Sequence, residues 1–198
     1  VINLEPGDDN IPLWQDLLSI DLSKLFKARK GPEVWEVLDK AVQLNNEVLG
    51  YIDKHPDGEP VTRWLCDYAT NLGLRYEHKY SVEDLELADQ LYERAVSHPY
   101  DKRKDRPRYL STYAVHFLKR CLYFGRMGDL NEAIRRGNEA LSQASVFFND
   151  VGYFPEKSQV LHTVQTALTH KFDATGDLDF LKEAIKRGEG GSFTISSA

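Results

Sequence analysis

Six histidines, two cysteines and a few adjacent carboxylates are the residues of this sequence with the chemistry to hold a metal or attack a substrate. His55, His78, His98, His116, His162 and His170 are scattered, no two of them four residues apart, and neither HExxH nor Cys-x-x-Cys occurs. A zinc site needs several such donors on one helix face or one loop, so no metal is expected. Cys66 and Cys121 fall on apolar helical stripes, the setting of a buried inert thiol and not of an activated thiolate. No GxSxG nucleophile turn is present, and GEGG at 188–191 follows a helical pattern instead of linking a strand to a helix as a phosphate loop does. The carboxylate pairs Asp8-Asp9 and Glu83-Asp84 sit in a turn and at a helix start, where the helix dipole favours negative charge. No catalytic residue, cofactor or enzymatic activity is expected, and function must come from the surface that the fold presents.

That fold is written in apolar periodicity. Leu65, Tyr68, Ala69, Leu72 and Tyr76 step by 3, 1, 3 and 4, and Leu110, Tyr113, Ala114, Phe117 and Cys121 step identically, which predicts helices throughout and no sheet. Turn chemistry at Gly31-Pro32, 55–60, 98–108, Gly128-Asp129, 149–158 and Gly176-Asp177 divides the chain into about eight helices. They are expected near 12–29 (with a break around Asp21), 32–53, 60–79, 82–97, 107–126, 129–146, 156–174 and 177–188. Ser81, Asp129 and Asp177 are the expected N-caps, each able to accept a first-turn N–H.

Three pairs of helices share one plan. A shift of 45 superposes Leu65 on Leu110, Tyr68 on Tyr113, Ala69 on Ala114, Leu85 on Leu130 and Ala88 on Ala133. A further shift of 51 carries Leu110 to Leu161, Phe117 to Leu168, Ala133 to Ala184 and Arg136-Gly137 to Arg187-Gly188. A weaker copy lies upstream, where a shift of 47 takes Leu18 to Leu65, Leu25 to Leu72, Leu38 to Leu85 and Ala41 to Ala88. The GDL strings at 128–130 and 176–178 would superpose only at 48, and the helix-wide register is preferred to them. Small residues at Ala88, Ala133 and Ala184 let the two helices of a pair approach closely, and one hairpin cannot bury its apolar face alone. The expected architecture is an all-α solenoid of antiparallel hairpins in four pairs at 12–53, 60–97, 107–146 and 156–188, with an extension at 1–11 and a Gly/Ser-rich tail at 189–198.

Composition narrows the setting. The net charge is −6, yet Asp101 to Arg136 holds ten Lys/Arg against four acids, a +6 island in a remainder of −12. The overall acidity argues against nucleic acid as the main partner. No apolar run reaches the length of a membrane span, no leader pattern opens the sequence, and two cysteines make no disulfide framework, so a cytoplasmic setting with no membrane partner is expected. The Val start and Gly/Ser end read as a segment of something longer.

Leu72-Gly73, Tyr76, Ala88, Tyr92 and Ala95 resemble the tetratricopeptide repeat signature, with three extra residues in the turn between Tyr76 and Ala88. The string KFDATGDLDFLKEAI at 171–185 is similar to the longer-turn repeats of large fungal multidomain proteins, where such arrays accompany a CHAT-type protease or a nucleotide-binding switch module, and HPD at 55–57 resembles their inter-repeat loop. Leu118 and Thr169 depart from the signature, standing where it has glycine. The resemblance covers about residues 12–188 and implies a right-handed solenoid whose first helices line a concave groove for a protein or peptide. It puts Asn71, Leu74 and His78 in that groove from one repeat, His116, Lys119 and Tyr123 from the next, and Thr166 and His170 from the third. Of the family's clamp for a C-terminal carboxylate only Asn71 stands at a matching position, so that ligand is not carried over. A second candidate surface is the basic patch Lys102, Arg103, Lys104, Arg106 and Arg108, suited to an acidic segment. The alternative function is a sensor or regulatory arm of a larger enzyme.

Overall fold

The computed structural model describes residues 11–28, 34–57, 60–98, 105–147 and 154–192, with side chains described to residue 188. Among these, eight helices and no strand occur, running α1 (Ile11–Ala28), α2 (Val34–Ile52), α3 (Val61–Lys79), α4 (Val82–Val96), α5 (Arg106–Phe124), α6 (Met127–Phe147), α7 (Lys157–Thr175) and α8 (Leu178–Ser192). The chain divides into two compact units at Asp101. In the first, the hairpin α1/α2 packs on the hairpin α3/α4 through α2 and α3, with a smaller contact of α1 on α3. In the second, α5/α6 packs on α7/α8 through α6 and α7, with α5 touching α7. This is the all-α helical-repeat arrangement of the α-solenoid class.

The helix starts and stops follow local chemistry. Ser81 caps α4 by accepting the Asp84 N–H, and Asp177 Oδ1 accepts the Asp179 N–H at 3.0 Å at the start of α8. Three first helices end alike: Tyr80, Gly125 and Gly176 take left-handed backbone conformations (φ 54°, 66° and 71°), and their N–H groups bond the carbonyls of Tyr76, Cys121 and Phe172. These positions are related by the same shifts of 45 and 51. Gly176 therefore corresponds to Gly125, and Gly128 lies inside α6, so the two GDL strings are not equivalent, as the helix-wide register requires.

Three expectations are corrected. The helix over 11–28 is unbroken at Asp21. Helix α6 starts at Met127, two residues before the expected cap, and Asp129 is a buried residue of its first turn. The shift of 47 fails on α1: Leu18 is 50% exposed while Leu65 is fully buried. With Pro12, the residues of α1 turned inward are Asp16, Ser19 and Ser23, and these three match the buried Thr62, Leu65 and Ala69 at a shift of 46.

The contact between α6 and α7 is tight at Gly137. A Cβ on Gly137 would stand 2.4 Å from Val164 Cγ2 and 3.6 Å from Val160 Cγ1. Val164 is β-branched and fully buried, so it cannot swing aside. Gly137→Ala is expected to lower stability by about 1–2 kcal/mol, overpacking outweighing the helix propensity gained; an unchanged midpoint in denaturant unfolding would refute this contact. The opposite sign holds at Tyr80, whose side chain is exposed while its backbone carries left-handed strain. Tyr80→Gly is expected to raise stability by about 0.5–1 kcal/mol in the same measurement.

Candidate functional site

The residues expected to line one groove separate by burial. In the first unit Asn71, on α3, is 2% exposed and belongs to a polar network in the interior. Its Nδ2 donates to Asn45 Oδ1 of α2 at 2.7 Å, and Asn45 Nδ2 donates to Ser19 Oγ of α1 at 2.9 Å. Ser23 Oγ lies 2.5 Å from Asn71 Oδ1 and 2.8 Å from the Ser19 carbonyl, and Ser19 Oγ donates to the Asp16 carbonyl at 2.8 Å. One turn earlier Arg63 Nη2 of α3 donates to Asp16 Oδ2 at 2.9 Å. Asn71 therefore ties three helices together and is no groove residue, because every polar atom that would face a ligand is spent inside.

Leu74 is half-buried and His78 exposed on the same helix. His78 meets Trp35 of α2 at a tilt of 51° with ring centroids 3.6 Å apart and lies edge-on to Phe26 of α1 at 5.5 Å. Desolvation against this setting pushes the imidazole below its ordinary pKa, so it is a neutral ring in an aromatic cluster where three helices meet.

In the second unit His116 is a further correction. It is buried beside Tyr113 and Phe117, with ring centroids 6.1 Å from each, and does not reach a groove. Lys119, Thr166 and His170 are half-buried and Tyr123 is exposed. These four lie on α5 and α7, the two first helices that touch within this unit. Close by, Leu122, Phe124 and Met127 are exposed around the α5–α6 turn, and the Arg126 guanidinium stands 5.1 Å over the Phe124 ring.

The basic patch is only half described, since Lys102, Arg103 and Lys104 lie outside the described residues. Arg106 pairs with Glu139 of α6 at 3.2 Å, and Arg108 lies 3.9 Å from Glu156 just before α7. Both arginines thus brace the open end of their own unit. Among the described residues no group of three or more His, Cys, Asp or Glu is placed to hold a metal ion, and no helix is long and apolar enough to cross a membrane. Both cysteines are buried thiols outside any disulfide, and burial raises the Cys121 thiol, which keeps it protonated.

A repeated clamp went unread in the sequence. Arg75 of α3 donates from Nε to Asp84 of α4 at 2.6 Å with a second bond from Nη2, and Arg120 of α5 makes the same two bonds to Asp129 of α6 at 3.2 and 3.0 Å. Both pairs are nine residues apart and related by the shift of 45. At the next shift of 51 the partners become Lys171 and Phe180, and the ammonium stands 4.0 Å from the ring centroid. The signal was available as an Arg-x8-Asp spacing recurring at the repeat period.

No protein-family model matches the chain, and no curated protein is similar to it in sequence. Among solved structures, one described as the DHF58 filament aligns over 91% of this chain and 92% of that chain, with a TM-score of 0.52 and 15% identity. A de novo designed helical repeat protein, DHR64, aligns over 94% of each chain with a TM-score of 0.48 and 16% identity. At 15% identity the first likeness concerns the arrangement of helices alone.

The buried carboxylate of Asp16 makes the docking of α1 pH-dependent. Burial raises its pKa above the ordinary aspartate range, and the charge and hydrogen bond of Arg63 only partly oppose this. The folded state therefore holds this proton more readily than the unfolded state, so the contribution of Asp16 falls as pH rises from about 4 through the raised value. Asp16→Asn keeps an acceptor for Arg63 and removes the charge. The stability of the wild type relative to this variant is expected to decline as pH is raised from acid to neutral, and a difference in unfolding free energy that is flat across that window would contradict it.

Proposed function

We propose that this chain is a protein-interaction scaffold of the tetratricopeptide kind, working by holding a peptide or protein segment and performing no chemistry itself. The observation that carries the reading is the first-helix face of the second unit. There α5 and α7 lie against each other and carry Tyr123, which is exposed, with Lys119, Thr166 and His170, which are half-buried. Such a face offers a cation, a phenol, a hydroxyl and an imidazole around aromatic area, the mixture that grips an extended or helical segment by side-chain hydrogen bonds and a few apolar anchors. Tyrosine supplies contact area at low entropic cost, and the two helices beneath are held by buried apolar residues, so the face is preorganised.

Relative to the expected groove, the surface keeps these four residues and gives up His116. The test uses the whole chain as bait in cross-linking followed by mass spectrometry, compared with a Lys119→Ala, Tyr123→Ala, His170→Ala variant whose helicity is first verified by circular dichroism. All three side chains reach solvent, so the fold is expected to persist. Capture of any bound segment should fall by about tenfold or more, and equal capture by the variant would remove this face from consideration.

A further inference from the structure

Superposing the three related turns by the repeat shifts isolates one departure from the common plan. Leu122, Tyr123 and Phe124 close α5, whereas the same positions hold Glu77, His78 and Lys79 at the end of α3 and Asp173, Ala174 and Thr175 at the end of α7. Packing does not require the change, because the three side chains of α5 are 55%, 44% and 36% exposed. Met127, the first residue of α6, is 40% exposed just past them. A single exposed apolar residue needs no explanation, but four around one turn form a pad. The hairpins before and after this one are both described, and α7/α8 is already seated on it through α6 and α5, so the pad is not the uncovered end of a stack.

The charges around the pad are one-sided. The 19 residues of α5 include Arg106, Arg108, Lys119 and Arg120 and no Asp or Glu. Three of these cations meet carboxylates from other segments of the unit, Glu139, Glu156 and Asp129. Just past the helix end, Arg126 is exposed and holds its guanidinium over the Phe124 ring, with no carboxylate of the described residues paired to it. A guanidinium resting on a ring keeps its edge N–H groups for a carboxylate fork. The one carboxylate of α7, Asp173, is exposed in its last turn, so the α5 side of the face is apolar and cationic while the end of α7 is acidic.

We infer that the segment held on the α5/α7 face is acidic and amphipathic, seating a leucine or aromatic side chain on the pad at Leu122 and Phe124 and setting a carboxylate against Arg126. This names the partner class of the proposed scaffold and rests on that reading. Apolar anchor and charge act together: the pad supplies contact area, and the cationic side of α5 rejects a basic segment of the same shape. No free carboxyl terminus is needed, since a guanidinium can fork onto a side-chain carboxylate anywhere along a chain. The contact therefore differs from a clamp for a C-terminal carboxylate, whose matching Asn71 is buried in the first unit.

Random peptides displayed on phage and selected on the whole chain test it, the enriched sequences being remade with amidated C-termini and measured by fluorescence anisotropy. They are expected to carry net negative charge and at least one leucine or aromatic residue, and to bind more weakly as salt is raised. Leu122→Ser and Arg126→Glu, both at exposed positions and checked for helicity, should each weaken binding by about tenfold or more. Acidic peptides that bind these two variants as they bind the wild type overturn the inference, and so does a selection that enriches nothing. Neutral or basic peptides that lose binding to the Lys119→Ala, Tyr123→Ala, His170→Ala variant also overturn it, but leave the α5/α7 face standing. Peptides indifferent to that triple variant as well remove the face along with the inference.

Discussion

Two helices can approach only as far as the side chains on their shared line allow, and in each hairpin of this chain that line passes through an alanine. Ala41, Ala88, Ala133 and Ala184 stand at equivalent positions of the four second helices, and each is at most 1% exposed. A methyl group there brings the neighbouring helix in until its larger residues interdigitate, so Leu65, Leu110 and Leu130 reach full burial. The spacing of every other contact is inherited from this approach. Between hairpins of the second unit the same economy is carried one step further, to a glycine, because α7 brings two β-branched valines to the contact.

Close approach fixes distance but lets a hairpin slide along its axis, and in the last three hairpins a directional contact near the turn prevents this. Arg75–Asp84 and Arg120–Asp129 are two-pronged pairs whose carboxylates are largely shielded from water. A fork of two parallel N–H bonds has one geometry, so it sets register as well as adding energy. Removing either arginine would leave a shielded carboxylate uncompensated, which costs more than the pair itself contributes. The fourth hairpin solves the same problem with Lys171 over Phe180, and Lys171 also donates to Asn131 of α6 at 2.8 Å. The change from salt bridge to cation–π contact shows that the constraint is positional: a cation from the last turns of the first helix must find an electron-rich partner at the start of the second.

Most of this was legible because apolar periodicity and repeat shifts both report burial. Helices over 34–52, 61–79, 82–96 and 157–175 fall within two residues of expectation at each end. What escaped was polar burial. Asp16, Ser19, Asn45 and Asn71 look like surface residues until their partners are known, and those partners lie 26 to 48 positions away in sequence. Aligning Leu18 with Leu65 assumed that leucine must point inward, and α1 does the reverse. His116 failed for a related reason: projecting a groove from the repeat signature treats every polar position on a first helix as open, but Tyr113 and Phe117 flank His116 and carry it into the interior. Lys119 and Tyr123, one and two turns further on, stay in reach of solvent, Lys119 in part and Tyr123 at 44% exposure.

The inverted character of α1 has an energetic consequence of its own. Apart from Pro12 and Phe26, α1 is seated through hydroxyls, amides and one ion pair, and each such hydrogen bond replaces one made with water and nets only about 1 kcal/mol. Specificity is what the arrangement supplies in return: Ser19 to Asn45, Ser23 to Asn71 and Asp16 to Arg63 can all be satisfied in only one register, whereas a leucine stripe would tolerate a slip. The apolar residues displaced from the inner face, Trp14, Leu17 and Leu18, remain on the outer one. Seating α1 in register and leaving its leucines outside are therefore the same choice of sequence, because a 3.6-residue helix that spends its inward stripe on polar register contacts has its outward stripe left for hydrophobic ones.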